Sequence, residues 1–71
     1  MNDNFMKEAV KAVREGRAKE FFDSLAEQLK TPEDSPWMAR EKAARAIRSN
    51  AMLYETNSPE MKAMRVLMRW K

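Results

Sequence analysis

Lys42, Arg45, Arg48 and Ser49 recur at helical spacing within one stretch of the chain. On a helix they lie opposite Ala39, Ala43, Ala46 and Ile47, so the cations form one exposed stripe. Such a stripe neutralises phosphates and releases counterions from a nucleic acid. Arg40 belongs to the same basic stretch, and Lys62, Arg65 and Arg69 share a narrow face further on. These cations are the candidate contacts for a nucleic acid or an acidic partner. The plainer reading of the first stripe is a solvated face in which Glu41 pairs with Arg45 one turn later.

A second candidate set is apolar: Met52, Met61, Met64, Met68 and Trp70. In the last helical stretch the apolar residues cover about 220° of the wheel, more than one core contact needs. Methionine-rich surfaces adapt to partners, and Trp and Arg are frequent interface anchors. The expectation is a helix buried against its own core and also against a second chain, or one that binds a different protein. A cationic helix lying on anionic membrane ranks below both, because nothing else in the chain suggests a membrane. Trp37 is expected to pack over a neighbouring helix end. Exposed, it becomes an interface anchor or a stacking platform for a base.

Other chemistries are closed off by composition. The 71 residues include no His and no Cys. That removes zinc sites of the usual kind, disulfides, and Cys–His or Ser–His nucleophiles. One Gly cannot make a phosphate-cradling loop. Glu33 and Asp34 read as a solvated turn rather than a cation site, and Ser35 and Ser58 as helix caps rather than nucleophiles without a base. Asp23 and Glu27 stand one turn apart but look solvated, so no carboxylate pair is set for acid–base work. No metal, cofactor or small-molecule substrate is expected, and the chain reads as non-enzymatic. A helix-turn-helix built on Ala12 and Gly16 is rejected, because Lys11, Glu15 and Arg17 would be charges in its apolar seam.

The elements that must carry these residues are all helical. Ala, Glu, Lys, Arg, Met and Leu dominate and strand-like alternation is almost absent. The expected architecture is all-α, a compact bundle of three to four short helices over residues 1–71 with no strands. The first helix, about 3–15, is capped near Asn2 to Asn4 and carries Phe5, Met6, Ala9, Val10 and Val13. The second, about 17–30, carries Ala18, Phe21, Phe22, Leu25, Ala26 and Leu29. The two stripes point roughly 145° apart, and Gly16 sits at the phase jump, where a helix ends most easily. Ser35-Pro36 and Ser58-Pro59 pair an N-cap with proline at the first helical position. They open helices of about 36–54 and 59–71. The inner face of the third is expected to include Leu53 and Tyr54 beside Ala39, Ala43, Ala46 and Ile47.

Charge is unevenly distributed along this frame. The net charge of +3 hides a neutral segment 1–30, a net −2 over 31–35 and a net +5 over 36–71. Leu, Ile, Val and Phe are sparse, and a core of this size rarely supplies more than ~3–5 kcal/mol. A marginal monomer, or a chain completed by self-association or a partner, is therefore expected. No apolar run approaches the roughly 18 residues of a membrane span. Together with an opening Met1-Asn2-Asp3-Asn4 unlike a signal peptide, this makes cytoplasmic the default location.

Overall fold

The computed structural model describes residues 3–71, and the Asn2 part of the expected first cap lies outside them. Among these residues there are four α-helices and no strand: α1 (Asp3–Arg14), α2 (Ala18–Leu29), α3 (Pro36–Ala51) and α4 (Pro59–Leu67). A 3-10 turn, Met68–Trp70, follows α4.

Each boundary has a local cause. Gly16 adopts φ 73°, the left-handed region that glycine enters freely. Its N–H donates to the Val13 carbonyl at 3.2 Å, and the Arg17 N–H donates to Ala12 at 2.7 Å. These two bonds form a Schellman motif, which satisfies the last carbonyls of α1 and turns the chain into α2. The Ser35 hydroxyl accepts from the Met38 N–H at 3.3 Å, and the Ser58 hydroxyl from the Met61 N–H at 3.2 Å. Both serines cap a helix whose first residue is proline. In the α2–α3 loop, Asp34 folds the turn back by accepting from the Thr31 N–H at 3.0 Å.

Two helices stop earlier than sequence spacing suggests. α3 ends at Ala51 rather than near Tyr54, because the Leu53 and Tyr54 amides tighten onto Asn50 and Ala51 three residues back. Leu53 is thereby turned out of the inner face and left 78% exposed. α4 ends at Leu67 and passes into the 3-10 turn instead of running on to residue 71.

The core is small and rich in alanine. Met6, Phe22, Ile47 and Leu67 are its largest fully buried side chains. Ala9, Ala18, Ala26, Ala39, Ala43, Ala44 and Ala51 fill the space between them. Alanine faces let helix axes approach closely, and α2 with α3 forms the most extensive interhelical contact, followed by α1 with α4. Phe5 and Phe21 stack at a tilt across the α1–α2 junction, with ring centroids 5.8 Å apart. Asn50 is buried on the inner face of α3, and its side-chain amide donates to the Ala46 carbonyl at 2.7 Å. That bond satisfies a polar group in an apolar setting.

Candidate functional site

The candidate cations of α3 divide into two inward and two outward groups. Arg40 points into the fold. Its Nε donates to the Trp70 carbonyl at 2.8 Å, its guanidinium lies 3.1 Å from Asp23 Oδ1, and it stacks over the Phe22 ring at 5.4 Å from the centroid. One side chain on α3 thus ties α2 to the end of the described chain. Lys42 is held by Asp34 and so braces the α2–α3 loop. Arg40 and Lys42 are structural anchors, and neither stands free on a surface stripe.

Arg45 and Arg48 are exposed and have no ion-pair partner among the described residues. The expected Glu41–Arg45 pair does not form, so Glu41 is unpaired as well.

The methionine set is likewise redistributed. Met61, Met64, Met68 and Trp70 are half-buried and pack against the core cluster. α4 is short and wedged among the other three helices. Its wide apolar arc is taken up by α1, α2 and α3 within one chain. Met52 alone of the set is open, at 73% exposure. Trp37 does not cover a neighbouring helix end; it is 70% exposed. With Met38 beside it and Leu53 next to Met52, four of the five large apolar side chains that stand exposed among the described residues belong to α3 and its C-terminal turn.

Helical geometry gathers these residues into one face. Trp37, Glu41, Arg45, Arg48 and Met52 follow at steps of four, four, three and four residues, a continuous ridge over roughly 24 Å of helix. The ridge is apolar at both ends and charged in the middle. A shallow depression of about 170 Å³ lies among Trp37, Met38, Glu41, Lys42 and Arg45.

A second surface was hidden by the neutral charge of residues 1–30. Lys7, Lys11 and Arg14 fall on one face of α1, and together with Glu15, Pro59 and Glu60 they line an open groove of about 540 Å³ between α1 and α4. Lys62 lines its continuation with Arg14. Glu15 is held by Arg17, so Glu60 is the one acid in the groove without a cation partner among the described residues. The spacing of four and three residues carries the signal; summed charge over the first 30 residues erases it. Arg69 is exposed in the 3-10 turn, and Arg65 donates to the Thr56 carbonyl at 3.2 Å.

The carboxylates with displaced titration are anchors. Asp23 sits below its ordinary range chiefly because the Lys19 ammonium donates to it, with burial opposing and the charges of Lys19 and Arg40 adding. Asp34 is lowered first by the Lys42 ammonium and then by the Thr31 amide. A general acid active near neutrality needs the opposite shift. The sequence-based view of Asp23 as solvated is corrected: it is half-buried between α2 and α3. Because both folded values are lowered, these groups favour the fold above their unfolded values and lose that contribution as pH falls through the folded ones. No group of three or more metal-ligating side chains is present among the described residues, and no helix there is long and apolar enough to cross a membrane.

Fold and surface together define a small all-α bundle with one ridge of mixed apolar and charged character and one basic groove. No protein-family model, curated protein or solved structure matches the chain.

Proposed function

We propose that this chain is a non-enzymatic binding protein acting through protein–protein contacts, as an inhibitor, adaptor or self-associating module, and that the outer face of α3 is its contact surface. One observation carries the reading: Trp37, Met38, Met52 and Leu53 stand exposed on the same helix and its C-terminal turn, with the unpaired Arg45 and Arg48 between them. Apolar anchors at helical spacing are what a helix offers to a groove on another protein. Tryptophan and arginine are the residues most often dominant in such contacts. In this reading the basic, methionine-bearing part of the chain makes the contact through the exposed Met52 rather than through the half-buried Met61, Met64, Met68 and Trp70.

Site-specific photocrosslinking in cells tests the reading. A photoreactive residue at position 37 or 52 is expected to yield a discrete protein adduct, and one at position 19, where Lys19 is exposed on α2, to yield none. Equal labelling at all three positions, or no adduct at 37 and 52, contradicts it.

A second reading, a nucleic-acid-binding module, draws on the α1–α4 groove. Lys7, Lys11, Arg14 and Lys62 converge there with no ion pair among the described residues, and no aromatic side chain lines it. That favours contact with a duplex backbone over base stacking. If four phosphates are neutralised, log affinity for a DNA duplex falls with log salt at a slope of about −3.6. Lys7→Glu with Lys11→Glu takes away two of the four contacts and brings the slope to about −1.8, and Arg45→Gln leaves it unchanged. Absence of duplex binding at ~50 mM salt rejects this reading.

A further inference from the structure

We infer that the occupant of the α3 ridge is a second copy of the same chain, docked antiparallel along α3 about a two-fold axis. This inference rests on the reading of α3 as the contact surface and names the partner.

The ridge is self-complementary. Trp37 and Met52 lie equally far from the midpoint between Ala44 and Arg45, and so do Glu41 and Arg48. When two such helices run antiparallel with that midpoint on the axis, Trp37 of each copy faces Met52 of the other. Glu41 of each copy then faces Arg48 of the other. A two-fold contact repeats every pair, so one match in sequence spacing yields two apolar contacts and two ion pairs. Glu41, Arg48, Trp37 and Met52 are the groups this arrangement needs. Among the described residues of the single chain the two charges have no ion-pair partner, and the two apolar side chains are open.

The same geometry contains one opposing element. Arg45 adjoins the midpoint, so the two copies of Arg45 approach each other at the axis. Like charges there weaken the pairing. A single helix pair also falls at the small end of interface sizes. Self-association is therefore micromolar and concentration-dependent rather than obligate.

Sedimentation velocity across a micromolar concentration series tests this, with circular dichroism verifying that each variant is folded. The wild type is expected to shift from monomer to dimer. Glu41→Arg and Arg48→Glu each weaken dimerisation about tenfold or more, because a reversal places like charges opposite at two symmetric places. The double variant carrying both reversals restores dimerisation, since every pair is re-formed with opposite polarity. Arg45→Gln strengthens it. A heterologous acidic partner predicts weakening for Arg45→Gln instead. A wild type that stays monomeric throughout, or a folded double reversal that fails to restore the dimer, overturns the inference. A position 37 adduct with a different protein, from a chain that stays monomeric, overturns self-docking and leaves the α3 contact surface standing.

Discussion

Phe22→Ala is expected to leave the chain predominantly unfolded in water at room temperature. Phe22 is fully buried and is the largest side chain in the core. Truncating a buried phenylalanine costs ~3–5 kcal/mol through lost transfer free energy and the cavity left behind. A domain this small holds a total of only ~3–5 kcal/mol. The surroundings offer little to collapse into the space, because Ala18, Ala26, Ala39, Ala43 and Ala44 are already at minimum size. The change also takes away the ring over which the Arg40 guanidinium sits. Far-UV circular dichroism with a urea titration reads the outcome. Phe22→Leu, which keeps most of the volume, retains a cooperative transition at lower urea. A cooperative transition for Phe22→Ala near that of the wild type would show that stability resides elsewhere.

Arg40→Ala is expected to lower stability by about 2 kcal/mol while leaving the ridge on α3 intact. The side chain is half-exposed, so its ion pair with Asp23 counts for less than a buried one. The larger part comes from the charge-assisted bond to the Trp70 carbonyl and the contact with Phe22. Such bonds contribute ~1.5–3 kcal/mol, and a partly exposed cation–π contact adds ~0.5–1 kcal/mol. In a domain of this size the loss lowers Tm by roughly 8–16 °C. A second readout separates this role from a surface charge. Without Arg40 the Asp23 carboxyl titrates closer to its ordinary value, with Lys19 still holding it partly down, as an NMR titration would record. Unchanged Tm and unchanged Asp23 titration would return Arg40 to the set of free surface cations.

These two residues mark what sequence spacing conveys and where it stops. Phe22 belongs to an apolar stripe of helical period, and Ser35, Ser58 and Gly16 punctuate the chain with chemistry that acts locally. The helices they delimit are therefore legible without knowledge of packing. Sequence spacing groups Arg40 with Arg45 and Arg48 because all are cations on one helix. Its wheel position lies between Ile47 and Ala51, on the inner arc, and that signal was available. What no spacing reveals is that the Trp70 carbonyl arrives there from thirty residues away. The α4 methionines illustrate the same limit. A wide apolar arc looks like excess surface on an isolated helix, yet a short helix wedged among three neighbours needs apolar residues on most sides. Net charge along a sequence averages over faces that the helix separates, and so conceals the cluster of Lys7, Lys11 and Arg14.

The two tryptophans occupy contrasting surroundings. Trp37 stands in solvent on the α3 ridge, whereas Trp70 is half-buried against the core with its carbonyl held by Arg40. The chain consequently carries two built-in optical reporters of different events. Emission from Trp70 follows the integrity of the bundle, and emission from Trp37 would follow the docking proposed for the ridge. With phenylalanine substituted for either one, folding and docking become separately observable in the same molecule without an added label.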